Sequence, residues 1–153
     1  MSELNNMEQS KIIQFSTGKP LAHRHSVLLV DDQQVFRTIA RDTLTTDTVF
    51  EIIGEAVDGG NAIQMTEQLR PDVIVMDIQM PDMSGIEAAR KILSERPDVR
   101  IVLTSMGEDA EYEPLAREIG ACGFVSKREL SASAVLALIE DRTPPANSAA
   151  MAA

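Results

Sequence analysis

The chain has 153 residues, of which 44% are hydrophobic and 25% charged, and its formal net charge is −10. This composition predicts one globular domain with a substantial core. An acidic chain without a basic stripe repels phosphate backbones, which counts against direct binding of nucleic acid. No apolar segment approaches the roughly 20 residues of a membrane span, and Met1–Ser10 is too polar for a signal peptide. The single cysteine, Cys122, suits a reducing compartment, so we expect a cytoplasmic protein.

The first part of the chain contains a polar segment followed by an apolar run. Residues 1–24 are polar and irregular and are interpreted as a flexible N-terminal arm. Ser26–Val30 is apolar and ends on Asp31 and Asp32, which indicates a buried strand with carboxylates at its carboxyl end. Gln33–Thr43 carries apolar residues at helical spacing, so a helix is predicted to follow that strand.

The rest of the chain alternates in the same way between short strands and helices. Four further strands are predicted at Phe50–Ala56, Val73–Met76, Arg100–Ser105 and Gly123–Ser126. Four further helices are predicted at Asn61–Leu69, after a cap at Ser84, at Pro114–Ile119 and at Ala132–Glu140. Asp58–Gly60 is interpreted as a turn, and Gly120 as the residue that ends the fourth helix.

Strands that alternate with helices predict a parallel sheet with helices on both faces. Because crossovers between parallel strands are right-handed, the carboxyl ends of all five strands meet at one edge. Polar residues stand at the ends of four of the five predicted strands, and these are Asp31, Asp32, Asp77, Ser105 and Lys127. We expect them to form one site.

The chemistry of that site follows from the residue types. Three carboxylates within a few ångströms repel each other by roughly 4 kcal/mol per pair at an effective dielectric near 20, unless a cation or protons intervene. A few oxygen ligands with open positions favour Mg²⁺ over Ca²⁺. A lysine and a hydroxyl at the same point suit an anion bound to that metal, most simply a phosphoryl group. An aspartate in this setting is a nucleophile for phosphorus.

With these motifs, the chain resembles the receiver domain of two-component response regulators over residues 25–142. The motifs are the acidic pair Asp31-Asp32, Asp77 with Pro81 and Gly85, the late hydroxyl, and the run from Gly120 to Lys127. The resemblance implies a flavodoxin-like (βα)5 fold with the strand order 2-1-3-4-5, and Mg²⁺ dependence. It also implies phosphorylation by a histidine kinase or a histidine phosphotransfer protein.

The resemblance further implies a role for each site residue. Asp77 accepts the phosphoryl group and Lys127 contacts it. Mg²⁺ is held by Asp32, Asp77 and the backbone carbonyl of Gln79, with Asp31 assisting. The switch lies at the fourth and fifth strands, and Phe124 is the aromatic residue that turns inward when the hydroxyl moves. From this movement we predict an output surface formed by the fourth helix, the fifth strand and the fifth helix. Two tuning positions, Gln79 and Gly107, lie two residues beyond Asp77 and Ser105 and should border the path of attacking water.

Two neighbouring residues are candidates for the hydroxyl at the end of the fourth strand. Thr104 and Ser105 both end the fourth strand, and alternation sends their side chains to opposite faces. The usual spacing of the family, 22 residues from hydroxyl to lysine, favours Ser105, whereas Thr104 would need one extra loop residue. We therefore expect Ser105 to be the switch hydroxyl.

Several alternatives remain open. A haloacid-dehalogenase-type phosphatase also uses an aspartate after an apolar strand, but Gln79 stands where its general acid would be. Lys127 is followed by Arg128 instead of proline, as in relatives that regulate transcription through helix-turn-helix domains, so the chain could be a receiver fragment of such a regulator. A third possibility is a degenerate receiver used only for docking, which the intact motifs oppose.

The last residues of the sequence bear on how the protein would pass on its signal. Only a tail at 143–153, rich in alanine and interpreted as disordered, follows the last predicted helix. The expectation is therefore a single-domain regulator, not an enzyme acting on external substrates, that signals to an unknown downstream protein as a monomer or a phosphorylation-dependent dimer.

Overall fold

A computed structural model describes residues 24–107 and 109–141 of the chain. The predicted tail at 143–153 lies outside these residues, and so does the predicted arm at 1–24 apart from Arg24. The side chain of Arg24 donates from Nε to the carbonyl oxygen of Thr48 at 3.0 Å. None of the helices in the described ranges is long and apolar enough to cross a membrane.

The sheet has five parallel strands in the order β2-β1-β3-β4-β5, which confirms the predicted flavodoxin-like topology. The strands are β1 (His25–Val30), β2 (Phe50–Ala56), β3 (Val73–Asp77), β4 (Arg100–Ser105) and β5 (Gly123–Ser126). Every residue of β3 is buried. The order changes direction beside β1 and β3, so the carboxyl ends of these two strands flank the crevice in which ligands bind in such sheets.

Five α-helices and one short 3₁₀-helix complete the described fold. They are α1 (Gln34–Leu44), α2 (Gly59–Leu69), α3 (Gly85–Glu95), α4 (Tyr112–Glu118), the 3₁₀-helix (Lys127–Glu129) and α5 (Ala132–Glu140). As predicted, Ser84 caps α3, because its hydroxyl accepts a hydrogen bond from the backbone N–H of Glu87 at 3.1 Å.

Two helices begin earlier than the apolar spacing predicted. The side chain of Asp58 accepts from the backbone N–H of Asn61 at 2.7 Å, so Asp58 is an N-cap and the two glycines after it form the first turn of α2 instead of a loop. Helix α4 begins at Tyr112, two residues before Pro114. Proline is tolerated there because the N–H groups of the first helical turn have no partner within the helix.

Alternate residues of the strands point to opposite faces of the sheet and build two cores. On one face, residues such as Leu28, Ile74 and Leu103 pack against α2, α3 and α4. On the other face, residues such as Leu29, Val75 and Val125 pack against α1 and α5. The helices therefore leave the carboxyl edge of the sheet between them, and the polar residues that end the strands lie at that edge.

Candidate functional site

Three carboxylates meet at the carboxyl edge of the sheet, as the sequence predicted. Asp31 and Asp32 follow β1 directly, and Asp77 is the last residue of β3. One carboxylate oxygen from each lies within 4.8 Å of the other two. Asp31 and Asp77 are buried, whereas Asp32 is exposed to solvent. The cluster therefore has two carboxylates fixed in the protein and one at its mouth.

Lys127 joins this cluster from the end of β5. Its Nζ lies 2.6 Å from Oδ2 of Asp31 and 3.3 Å from Oδ2 of Asp77, and its side chain is only 4% exposed. The same ammonium lies 4.3 Å from the centre of the Phe36 ring, within the range of a cation–π contact. Such a buried ammonium requires compensating charge, which the two aspartates provide.

Backbone and neighbouring side chains fix the two buried carboxylates. Oδ1 of Asp31 accepts from the backbone N–H of Gln33 at 2.9 Å, and Oδ1 of Asp77 accepts from that of Gln79 at 3.1 Å. Arg37 donates from Nη1 to the backbone oxygen of Asp31 at 2.7 Å. These bonds orient the carboxylates before any ligand arrives.

Gly85 is required by the close approach of α3 to the site. A Cβ atom at this position would overlap the backbone carbonyl oxygen of Asp77. The backbone N–H of Gly85 donates to the carbonyl oxygen of Ile78 at 2.8 Å. Glycine therefore allows the first turn of α3 to lie directly against the end of β3.

Burial dominates the electrostatics of Asp77. It raises the pKa of this carboxyl above the ordinary value of 3.8, because the charged form is removed from water, and the nearby Asp31 raises the pKa further. Lys127 and the backbone N–H of Gln79 act in the opposite direction. Asp77 is thus a carboxylate whose negative charge is only partly compensated by its protein surroundings.

The donor set fits a hard divalent cation. The cluster gathers three carboxyl groups around one ammonium, so acidic groups outnumber basic ones. The buried Oδ2 of Asp31 lies close to Lys127 but receives no hydrogen bond of good geometry. Carboxylate oxygens with room for water are the usual ligands of Mg²⁺, so a metal would relieve both the repulsion and this unsatisfied oxygen.

The two candidate hydroxyls lie on opposite faces of the sheet. Thr104 pairs in register with Asp77 and is buried on the same face. Ser105 is fully buried, and its Oγ accepts from the backbone N–H of Gly107 at 3.1 Å. By alternation, Ser105 lies on the opposite face, together with Phe124. The hydroxyl on the side of the predicted switch aromatic is therefore that of Ser105.

Three residues beside the site were not identified from the sequence. Phe36 and Arg37 lie on α1, and Tyr112 begins α4. Tyr112 packs its ring against Phe124 with centroids 5.2 Å apart, and its hydroxyl lies 3.4 Å from the side-chain nitrogen of Gln79. Apolar spacing identified Phe36 only as a helix position. A signal for Tyr112 was available, because it is the single tyrosine of the chain and lies between two polar residues.

Comparison with known proteins places this arrangement in a family. A family profile described as the response regulator receiver domain matches residues 27–140. The chain is 34% identical over 114 residues to the transcriptional regulatory protein DegU of Brevibacillus brevis. The matched region covers 74% of this chain and 48% of that protein. The chain is 36% identical over 116 residues to a protein-glutamate methylesterase/protein-glutamine glutaminase of Pyrococcus abyssi, which covers 75% of this chain and 32% of that protein.

A solved structure shows the same fold over most of its length. A two-component response regulator of the LuxR family from an Aurantimonas species superimposes with a TM-score of 0.71 at 29% identity, covering 80% of this chain and 91% of that chain. The chain spans about half or less of the length of the two curated relatives. The profile match covers most of the chain, including Asp31, Asp77 and Lys127. The chain therefore belongs to the receiver domain family of two-component response regulators.

Proposed function

We propose that the chain is activated by phosphorylation of Asp77, with the phosphoryl group supplied by a histidine kinase or a histidine phosphotransfer protein. The observation that carries the proposal is the position of Lys127, which lies within 3.3 Å of a carboxylate oxygen of both Asp31 and Asp77. An ammonium at this point is placed to neutralise a phosphoryl group on Asp77. The receiver family supplies the class of phosphodonor.

The site residues have different roles in the proposed phosphoryl transfer. A carboxylate oxygen of Asp77 attacks the phosphorus atom as the bond between phosphorus and the donor imidazole breaks, and the departing ring nitrogen takes a proton from solvent, which leaves an acyl phosphate on Asp77 and a neutral histidine. Lys127 compensates charge on the phosphoryl oxygens. Asp31, Asp32, Asp77 and the backbone carbonyl of Gln79 would hold Mg²⁺, which supplies charge stabilisation for the phosphoryl group when it is bound.

The switch is proposed to run from Ser105 to Phe124. The hydroxyl of Ser105 would leave the backbone N–H of Gly107, its partner at 3.1 Å, and donate to a phosphoryl oxygen. Phe124 is half-buried on the same face of the sheet and would turn into the space that Ser105 vacates. Gln79 and Gly107 are exposed beside the site and are proposed to tune the access of attacking water.

The output is proposed to be a contact with a downstream protein, made as a monomer or as a phosphorylation-dependent dimer. The names of the two curated relatives indicate a transcriptional regulator and a methylesterase, and these activities belong to those longer proteins. We propose no catalytic turnover of external substrates by the described residues, since Gln79 takes the place of the general acid of a phosphatase. A receiver fragment of a DNA-binding regulator is the second candidate, favoured by the similarity to DegU.

The charge of the chain supports signalling through protein contacts without direct contact to nucleic acid. The net charge of −10 opposes binding of a phosphate backbone by this chain. A cytoplasmic location is proposed together with this role, because Cys122 is buried and is the single cysteine of the chain, so no disulfide can form within the chain, as expected in a reducing compartment.

The direct test is phosphorylation in solution. Incubation with acetyl phosphate and Mg²⁺ should add the mass of one phosphoryl group to the parent protein and none to Asp77→Asn. Asp82→Asn is the matched control, because Asp82 is exposed in the loop after β3 and should leave uptake unchanged. Full uptake by Asp77→Asn would show that another residue is the acceptor.

A further inference from the structure

Tyr112 connects the acidic cluster to the proposed switch residue. It is the single tyrosine of the chain and the first residue of α4. Its hydroxyl accepts from Nε2 of Gln79 at 3.4 Å, and its ring packs against Phe124 with an angle of 48° between the ring planes. One side chain therefore touches both the loop after β3 and strand β5.

Gln79 brings this connection to the acceptor carboxylate itself. Its backbone N–H donates to Oδ1 of Asp77 at 3.1 Å, while its side chain donates to Tyr112. The side chain of Gln79 is exposed, so the bond to Tyr112 determines where its amide group lies. At 3.4 Å this contact is longer than the usual range of about 2.7 to 3.2 Å for N–H···O hydrogen bonds, so a modest movement of either partner would break it.

Phe124 is held by two consecutive residues of α4. Tyr112 packs against its ring, and Glu113 accepts its backbone N–H at 3.0 Å. The other oxygen of Glu113 is fixed by Arg117 at 2.7 Å. Helix α4 has seven residues, of which Ala116 is the buried one, so the contacts of Tyr112 and Glu113 with Phe124 add to the packing of this short helix against β5.

We propose that Tyr112 is a positioning residue that sets the lifetime of the phosphoryl group on Asp77. Its hydroxyl holds the amide of Gln79 across the side of Asp77 that faces α4, where the amide hinders attacking water. Its ring transmits any movement of Gln79 to Phe124. The inference rests on the proposed phosphorylation of Asp77 and assigns the control of its reversal to a residue outside the metal cluster.

The variant Tyr112→Phe tests the hydroxyl while the ring is kept. The phosphoryl group is loaded with acetyl phosphate and Mg²⁺, the donor is removed, and the loss of mass is followed. We expect Tyr112→Phe to lose the group about two- to tenfold faster than the parent, as expected for the loss of one neutral hydrogen bond. Glu118→Gln, an exposed change on the same helix, should keep the parent rate.

A double-mutant cycle identifies Gln79 as the partner. The double variant should lose the phosphoryl group at the same rate as Gln79→Ala alone. Once the amide of Gln79 is absent, the hydroxyl of Tyr112 has no partner, and its removal should have no further effect. A parent rate in Tyr112→Phe, or independent effects of the two changes, would overturn the inference. A parent protein that takes up no phosphoryl group would instead refute the proposed function.

The contact can also be tested without phosphorylation. Labelling with ¹³C-tyrosine gives one set of ring signals, since Tyr112 is the single tyrosine. Gln79→Ala should shift these signals in the unphosphorylated protein, and Glu118→Gln should not. Beryllofluoride with Mg²⁺ should shift them in the parent. Ring signals that respond neither to Gln79→Ala nor to beryllofluoride would refute a role for Tyr112 as the connection.

Discussion

Lys127 is held by three contacts of two kinds. Two are ion pairs, to Asp31 at 2.6 Å and to Asp77 at 3.3 Å, and the third is with the ring of Phe36. The shorter ion pair is made with the carboxylate that is not the proposed acceptor. A phosphoryl group on Asp77 would therefore have to draw Lys127 partly away from Asp31, and Mg²⁺ beside Asp31 would lower the cost of that exchange.

The metal prediction follows from the excess negative charge of the cluster. Mg²⁺ should bind before phosphorylation and raise the melting temperature, with a gain of about 2.7 kcal/mol in unfolding free energy at a hundredfold excess over Kd. Asp32→Asn should remove most of that gain, because Asp32 is the proposed ligand at the mouth of the site.

Thermal melts with and without Mg²⁺ provide the measurement. Asp42→Asn, an exposed acidic residue on α1, is the control and should respond to Mg²⁺ as the parent does. Parent melts that coincide with and without Mg²⁺ would contradict the prediction.

A second prediction separates the two hydroxyls at the end of β4. Ser105→Ala should still take up a phosphoryl group but should weaken the response of Phe124, because the proposed link from the phosphoryl oxygen to β5 is lost. The unmodified variant should lose about 1 kcal/mol of stability with the hydrogen bond from Gly107.

Thr104→Val is the matched control, since Thr104 is also buried but lies on the face of Asp77. The measurement is the NMR shift of the Phe124 ring on addition of beryllofluoride and Mg²⁺. A normal response in Ser105→Ala with a lost response in Thr104→Val would assign the switch to Thr104.

At the scale of elements, α1 is tied to β2 by a single carboxylate. Glu55 pairs with Arg37 at 2.9 Å and with Arg41 at 2.6 Å, and these arginines, Arg41 foremost, lower the pKa of Glu55 below its ordinary value of 4.5 although burial opposes them. Arg37 also holds the backbone of Asp31. The pairing of α1 with β2 thus helps to position the acidic cluster.

Glu55→Gln should lower the stability by about 1 kcal/mol near neutral pH, because the group keeps part of its exposure to solvent. Since the pKa of Glu55 is lowered on folding, its contribution is present above the pKa of the unfolded chain and is lost as the pH falls through the folded pKa. The difference between the parent and Glu55→Gln should therefore shrink below about pH 4.5.

Urea unfolding of both proteins at several pH values measures that difference. Glu51→Gln is the control, because Glu51 is exposed on the same strand. A stability gap for Glu55→Gln that stays constant between neutral and acidic pH would contradict the proposed ion-pair origin.

The strands were predictable from the sequence to within one residue, because each is a short apolar run bounded by breakers or carboxylates. The starts of α2 and α4 were not, since they depend on the cap at Asp58 and on the tolerance for Pro114 in a first turn. Asp31, Asp77 and Lys127 came together as predicted because parallel strands share one carboxyl edge.

The helical residues beside the site could not be placed in the same way. Whether Phe36 covers Lys127, or Tyr112 reaches Gln79, depends on how α1 and α4 lie across the sheet, and this is set by packing that periodicity does not encode. The spacing of α1 illustrates the limit. Val35 and Ile39 are part of its apolar pattern but are 73% and 51% exposed, so the buried stripe is narrower than the pattern.

At the scale of the whole molecule, the proposed activation requires a phosphoryl group on Asp77 to shift an equilibrium between two conformations. A change from 1:99 to 99:1 requires about 5.5 kcal/mol of differential interaction. One hydrogen bond to a charged group supplies roughly 1.5 to 3 kcal/mol. In the proposed switch, the hydroxyl of Ser105 alone would therefore not be sufficient, and we expect Lys127, the contacts of Tyr112 and partner binding to supply the rest.

The contacts of Phe124 predict that the response lies in the carboxyl-terminal part of the domain. Phe124 is connected to α4 through Tyr112 and Glu113, and β5 packs against α5, so movement of Phe124 should reach both helices. Backbone NMR shifts caused by beryllofluoride and Mg²⁺ should concentrate, outside the metal cluster itself, between Met106 and Glu140. In Asp77→Asn these shifts should be absent. Changes confined to α1, at Gln34–Leu44, would show that the output surface lies on the other side of the molecule.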